Sequence, residues 1–342
     1  MSQDEPRGIL RPGWEAAVGD YPIAGGWALG GKVLAVADAV GGVNAFEATS
    51  GRALWIGAHA QGVMALAVSP DGSTIATAGQ DGQVLLWSAA DGEVTQTLSL
   101  GRGWVEHVAW SPDGRWLAAS LSRHVYVFDA EGQQVWRSEP HPSTVSALAW
   151  SGAQELATAC YGQVAFVDVS SGETNQKLEW KGSLVSMALS PDGDIVACGS
   201  QDNTVHFWRR SSGLDSMMSG YPGKPSVLAF DHTGLLLATG GSAAPMVWSF
   251  EGDGPEGTQP GVLDFHVQPI TALAFAPRRR RLASGGRDGG VVVWGVAGSG
   301  EGKPTGACLV GSPIAGVAWR PDGRGLAALD ASGGVTVWRT ST

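Results

Sequence analysis

A unit of about 40 residues recurs along this 342-residue sequence, and this repeat restricts the possible folds more than any other feature. The residues that close successive units lie 39 to 46 positions apart: Phe46, Trp87, Phe128, Val167, Trp208, Trp248, Trp294 and Trp338. Within each unit, short segments rich in Val, Leu, Ile, Thr and Trp alternate with turn residues, which is typical of β-strands joined by tight turns. The sequence therefore predicts an all-β repeat protein.

The second unit shows the pattern most fully. Its segments VMALAV, STIATAG and QVLLWSA are separated by Ser-Pro-Asp-Gly at 69–72 and by Asp-Gly at 81–82. Proline presets φ at the second position of a turn, and glycine accepts a positive φ. Similar turns recur at 111–114, 190–193 and 320–323, and Asp288-Gly289 and Asp202-Asn203 precede later third strands.

On these motifs the chain resembles the WD-repeat β-propeller family, and the resemblance covers nearly all of it. The resemblance and the count of repeats imply an eight-bladed member, with four strands in each blade. Seven blades is the alternative, if either weak unit is not a blade. The first unit has Leu29-Gly30-Gly31-Lys32 in place of the proline turn, and the fourth ends in VAFVDV without tryptophan.

The uninterrupted repeat predicts one domain over residues 1–342. The last unit ends at its third strand, so residues 8–18, which have strand-like character, are expected to supply its missing fourth strand and close the ring. The approximate repeats are 21–58, 59–100, 101–140, 141–179, 180–219, 220–264, 265–310 and 311–342.

Composition excludes several classes of function. A formal net charge of −10 disfavours nucleic-acid binding through phosphate contacts. No apolar run reaches the length of a membrane span, and the N-terminus has no signal-peptide pattern, so a cytoplasmic protein is expected. Cys160, Cys198 and Cys308 fall in different repeats without metal-ligand spacing, so reduced thiols and no metal site are expected.

Two repeats carry His, Ser or Thr, Asp and Trp at the positions of the family's structural tetrad: His59, Thr77, Asp81, Trp87 and His266, Ser284, Asp288, Trp294. The same residue types make up a nucleophile–base–acid triad. A hydroxyl on a regular second strand is poorly presented as a nucleophile, and a buried indole N–H needs a partner. We therefore assign these residues to structure and expect no catalytic residues.

An alternative reading is a quinoprotein-like enzyme or cofactor binder that uses the central channel. Ala45–Gly51 leads to Trp55, and Phe128–Gly132 leads to Trp136, which resembles imperfectly the tryptophan-docking motif of eight-bladed quinoproteins. We interpret these tryptophans as packing between blades and expect no cofactor.

The expected function is a non-catalytic scaffold that binds a protein or peptide partner of unknown identity through the loops at one end of the blades. The protein would be a monomer or a subunit of a hetero-complex. Tryptophan, tyrosine and arginine dominate interface energetics. The residues expected on the binding face are Arg102, Trp104, Glu106, Tyr161, Trp180, Lys181, Tyr221, Gln80, Gln201 and Arg287.

Overall fold

The computed structural model describes residues 7–252 and 254–341. The chain is all-β apart from one short 3₁₀ turn at Leu29–Gly31. It divides into two compact units, the first made of Met1–Ala17 with Val185–Thr342 and the second of Val18–Leu184.

The second unit holds the first four repeats. Each of the first three forms an antiparallel four-stranded sheet in chain order. The strands are β3 (Pro22–Ala28), β4 (Val33–Asp38), β5 (Gly42–Glu47), β6 (Ala53–Ala58), β7 (Val63–Val68), β8 (Thr74–Gly79), β9 (Gln83–Ser88), β10 (Val94–Ser99), β11 (Val105–Trp110), β12 (Trp116–Leu121), β13 (His124–Asp129), β14 (Gln134–Arg137), β15 (Ala147–Trp150), β16 (Glu155–Asp168) and the first part of β17 (Thr174–Leu189).

The first unit holds the remaining repeats and the N-terminal segment. Its strands are β1 (Arg7–Gly8), β2 (Leu10–Ala17), the rest of β17, β18 (Ile195–Ser200), β19 (Val205–Arg209), β20 (Leu214–Met218), β21 (Val227–Phe230), β22 (Leu236–Gly240), β23 (Met246–Ser249), β24 (Gly261–Val262), β25 (Ile270–Phe275), β26 (Arg281–Gly286), β27 (Gly290–Val296), β28 (Gly302–Leu309), β29 (Ile314–Trp319), β30 (Gly325–Asp330) and β31 (Gly334–Thr340).

The expectation of eight separate four-stranded blades is wrong. The described strands form seven hydrogen-bonded sheets, and we count each sheet as one blade. The fourth and fifth repeats share a six-stranded sheet in the order β15-β16-β17-β18-β19-β20. The fourth repeat, one of the two weak units, therefore has no sheet of its own.

The cause is the missing turn chemistry of the fourth repeat. Where other repeats carry Asp-Gly, this one has Tyr161-Gly162, and the strand continues through it with a register shift. Tyr161 then pairs with Ser183 of β17, which stays extended for 16 residues. Without a residue pair that ends both strands, the two repeats join into one sheet.

The N-terminal segment pairs with two different sheets. β2 lies antiparallel to β31, with Leu10 opposite Thr340, and so supplies the fourth strand of the last repeat. β1 adds a short fifth strand beside β28, which the sequence did not predict.

The core lies between neighbouring sheets of each unit. In the second unit, Ala35, Ala45, Ile75 and Trp87 belong to one buried cluster between the first and second repeats. In the first unit, a similar cluster joins Leu10 to Trp319 and Trp338. Small residues on one sheet and large residues on the next let the sheets pack closely.

Candidate functional site

The loops of the third and fourth repeats are tied together by hydrogen bonds at one end of their strands. The N–H of Val145 donates to the carbonyl of Ser122 at 2.9 Å, and the N–H of His141 donates to the carbonyl of Arg123 at 2.8 Å. Arg123 Nε donates in return to the carbonyl of His141 at 2.6 Å. These bonds fix the loop before β15 against the β12–β13 turn.

Two exposed aromatic side chains belong to this surface. Trp104 is 55% exposed and Tyr161 is 56% exposed. The Tyr161 N–H donates to Ser143 Oγ at 2.8 Å, which ties this part of β16 to the loop before β15. Gly103, beside Trp104, lies against the side chain of Leu121 at the end of β12.

The second repeat continues the same surface. The Gln80 N–H donates to the carbonyl of Gly62, and the Leu100 N–H, just before Arg102, donates to the carbonyl of Gly82. Gln80 Nε2 also donates to Met64 Sδ at 3.4 Å. We define the loop face as residues 80–82, 101–106, 121–123, 141–145, 161–163 and 180–183.

Seven of the ten residues predicted to bind a partner belong to the loop face: Gln80, Arg102, Trp104, Glu106, Tyr161, Trp180 and Lys181. Gln201 and Arg287 are exposed but belong to the other unit.

Tyr221 is a correction to the predicted face. Its side chain is buried, 5% exposed, and cannot contribute an exposed contact. Its hydroxyl accepts the Trp248 indole N–H at 2.8 Å and donates to Thr239 Oγ1 at 2.8 Å. Thr239 in turn donates to the carbonyl of Met246 at 3.2 Å. Burial raises the pKa of Tyr221 to about 12, so the phenol stays neutral.

The two complete tetrads form hydrogen-bonded chains. In the second repeat, the Trp87 indole N–H donates to Thr77 Oγ1 at 2.7 Å, and Thr77 Oγ1 lies 2.7 Å from His59 Nε2. His59 Nδ1 lies 3.0 Å from Asp81 Oδ2, so it carries the proton in the tautomer that satisfies every group. Thr77 is fully buried, and its hydroxyl is committed at both ends, which removes it as a nucleophile.

The seventh repeat repeats this chain with Ser284 as the hydroxyl, at 2.8 Å from both Trp294 Nε1 and His266 Nε2. Asp288 lies 3.1 Å from His266 Nδ1. Burial acts to raise the Asp288 pKa, but hydrogen bonds from Gly290, Val267 and His266 outweigh it and lower the pKa. A Cβ at Gly286 would lie 2.6 Å from Asp288 Oδ1, so the chain requires glycine there.

The fourth repeat uses a backbone group where the tetrad has aspartate. His141 Nε2 lies 2.9 Å from Thr158 Oγ1, and Nδ1 donates to the carbonyl of Arg123 at 3.1 Å. Burial lowers the pKa of His141, and the bond to Arg123 only partly opposes this. The carbonyl belongs to the loop face, so this buried chain also positions that surface.

The two tryptophans of the quinoprotein-like motif pack against neighbouring repeats. The Trp55 indole N–H donates to the carbonyl of Ala89 at 3.2 Å, and its ring stacks on Trp87 with centroids 6.2 Å apart. A Cβ at Gly92 would collide with the Trp55 ring. Trp136 lies against Gly172 in the same way.

Other chemistry has little support in the described part of the chain. No group of three or more His, Cys, Asp or Glu side chains there is placed to hold a metal ion. Cys160, Cys198 and Cys308 are free thiols, and burial raises the pKa of Cys160 and of Cys198. No helix within the same residues is long and apolar enough to cross a membrane.

Comparison with known families agrees with the repeat pattern. Residues 173–209 and 257–295 match the family described as "WD domain, G-beta repeat". The chain carries WD repeats on a β-propeller fold. Residues 39–181 of this propeller also match a family described as "Outer membrane protein assembly factor BamB".

Curated relatives of this WD-repeat protein are longer than it is. Actin-interacting protein 1 of Caenorhabditis elegans is 26% identical over 70% of this chain and 40% of its own length. Cell division cycle 20.1, cofactor of APC complex, of Arabidopsis thaliana is 28% identical over 43% of this chain and 32% of its own. The chain therefore spans less than half the length of these relatives.

Two solved structures share the fold. The computationally designed Ika8 protein has a TM-score of 0.80 and 20% identity, covering 94% of this chain and 97% of its own. A chain of the mitotic checkpoint complex has a TM-score of 0.67 and 23% identity, covering 81% of this chain and 86% of its own.

Proposed function

We propose that this WD-repeat protein is a non-catalytic scaffold that binds a protein or peptide partner on the loop face. The observation that carries the proposal is the exposed indole of Trp104 on a surface whose loops are hydrogen-bonded to one another. A large aromatic side chain held on a rigid support loses little conformational entropy on binding. The names of two relatives, an actin-interacting protein and a cofactor of the APC complex, support the same class of function.

The test compares a variant of the face with a matched variant elsewhere in the same unit. Trp104→Ala should abolish co-purification of a stoichiometric partner from the native cell, with little change in melting temperature because the side chain is mostly exposed. Ile56→Ala is the control, since Ile56 is 72% exposed on β6, outside the loop face. The proposal would be contradicted if both variants lost the partner equally, or if both retained it.

A cofactor-binding function is the second candidate, because the segments that resemble the tryptophan-docking motif lie within residues 39–181, the range that matches a second family. The residues of its motif, Trp55 and Trp136, are engaged in packing between repeats. An absorbance spectrum and metal analysis of the purified protein separate the two candidates. A bound chromophore or a stoichiometric metal would displace the scaffold proposal.

A further inference from the structure

One residue of the loop face occupies a position that the fold repeats elsewhere with very different chemistry. In five repeats the first strand has a one-residue register shift just after it begins, which marks a β-bulge. A bulge leaves a residue outside the ladder and re-aims its side chain. The residues at these bulges are Ile23, Met64, Glu106, Thr271 and Ala315. Glu106 is the charged member of the set.

The Glu106 carboxylate has no partner in the described part of the chain. Its Oε2 atom is shielded from solvent without a hydrogen bond, whereas Oε1 retains some accessible surface. Burial raises the pKa of Glu106, and no cation opposes this. An unpaired, partly desolvated carboxylate costs free energy. The other four bulges show that the strand forms without a charge there, so folding does not require one.

The surroundings of Glu106 suit a positively charged group. Trp104 lies two residues earlier with its indole largely exposed, and an indole face attracts ammonium and guanidinium groups. A chain with a formal net charge of −10 also favours approach of a basic segment. Arg102 and Lys181 are exposed on the same face and form no ion pair within the described residues. They could therefore pair with acidic residues of a partner segment that lie next to its basic residue.

We propose that the Glu106 carboxylate binds a lysine or arginine side chain of the partner, and that the indole of Trp104 covers this basic side chain. The proposal rests on the scaffold function and deepens it. The basic side chain would give the carboxylate a charge-assisted hydrogen bond that the free protein does not provide. The bulge sets the direction of Glu106, and Trp104 lies two residues before it, next to the start of β11.

The experiment selects heptapeptides from a random phage-displayed library on the full-length protein. Peptides that bind wild type but not Trp104→Ala are synthesised, and their affinities are measured by calorimetry. We expect these peptides to share one lysine or arginine position. Glu106→Gln should weaken their binding by about tenfold, as is usual for loss of one charge-assisted contact. Glu93→Gln, an exposed glutamate outside the loop face, should leave the affinity unchanged.

A double-mutant cycle identifies the pair directly. Replacing the peptide's basic residue by norleucine should weaken binding to wild type but add little to the effect of Glu106→Gln. Melting temperature gives a second readout, because removing an unpaired carboxylate should leave stability equal or higher. A lower melting temperature for Glu106→Gln would assign the residue to structure and overturn the proposal.

The outcomes separate this inference from the function on which it rests. Trp104-dependent peptides without a basic position, or with equal affinity for Glu106→Gln, would overturn the anchor and leave the scaffold function standing. Recovery of no Trp104-dependent peptide would overturn both.

Discussion

The second and sixth repeats solve the same problem, a buried indole N–H, with different side chains. In the second, the indole of Trp87 donates to Thr77, and His59 accepts from the hydroxyl. In the sixth, the phenol of Tyr221 lies between the indole of Trp248 and Thr239. The tryptophan and the threonine occupy equivalent strands in both repeats. The residue before the first strand, histidine or tyrosine, determines the order of the groups in the hydrogen-bonded chain.

The comparison explains why only some repeats need an aspartate. A neutral histidine that accepts through Nε2 still has an N–H at Nδ1, which requires a second acceptor. Asp81 supplies it in the second repeat, and the carbonyl of Arg123 supplies it in the fourth. A phenol has one hydrogen to donate, that of its hydroxyl, so the hydrogen-bonded chain of the sixth repeat ends at the backbone carbonyl of Met246 without an aspartate.

The largest expected effect comes from removing the hydroxyl in the second repeat. Thr77→Val leaves both the Trp87 indole N–H and His59 Nε2 without partners and should destabilise by about 3 kcal/mol. Thr239→Val removes the weaker bond to the Met246 carbonyl and leaves one side-chain donor, the phenol of Tyr221, unpaired, which should cost about 1–2 kcal/mol. Denaturant unfolding of the two variants measures the difference. Equal losses would show that the two chains are energetically alike.

A smaller effect tests the need for the aspartate. Asp81→Ala should lower the free energy of unfolding by about 1–3 kcal/mol, since it leaves the N–H of His59 unpaired. His59→Ala should lower it by a similar amount. Ala243 holds the matching place four residues after Thr239. Ala243→Asp should change stability by less than about 0.5 kcal/mol, because the tyrosine chain has no second donor for it. A clear gain from Ala243→Asp, or no loss from Asp81→Ala, would refute this account.

The smallest effect is in the pH dependence of stability. Burial lowers the pKa of His141, so the unfolded state binds a proton first as the pH falls below the ordinary value for histidine. The contribution of His141 to the free energy of unfolding is therefore complete above that pH and is lost as the pH falls. His206 acts in the same direction, since burial lowers its pKa to about 4. His141→Gln should make the decline in melting temperature between neutral and acidic pH shallower.

The tyrosine chain provides the control for that measurement. The phenol of Tyr221 is neutral throughout the acidic range, so Tyr221→Phe should lower the melting temperature by a similar amount at every pH. A parallel decline in wild type and His141→Gln would exclude His141 as a source of acid sensitivity.

The repeat period and the turn motifs predicted the propeller class because they recur in most units. The count of blades failed at the fourth repeat, where Tyr161-Gly162 does not end the strand. A four-residue motif predicts where a turn forms. It does not predict whether a segment without such a motif remains extended when a neighbouring strand offers hydrogen bonds. The predicted β2–β31 pairing is present, but no pattern indicated that Arg7 and Gly8 would pair with β28.

Tyr221 shows what reading the site from residue types misses. Tyrosine in a loop before a first strand suggested an exposed contact, yet the side chain is buried. A usable signal was present in the spacing. Tyr221 precedes Thr239 by 18 residues, the separation of His59 from Thr77 and of His266 from Ser284. Glu106 differs, because its lack of a partner depends on three-dimensional neighbours that a sequence does not specify.

The pairing of β2 with β31 also sets the order of events during synthesis. The backbone carbonyl of Pro12 accepts a hydrogen bond from Arg339, 327 positions later in the chain. The residues up to Arg339 must therefore leave the ribosome before this strand finds its partner. Until then, Leu10 and the apolar surface of the last sheet stay uncovered, and loop closure of this length makes the final step slow. A chaperone that shields nascent apolar strands would have its longest opportunity on this segment.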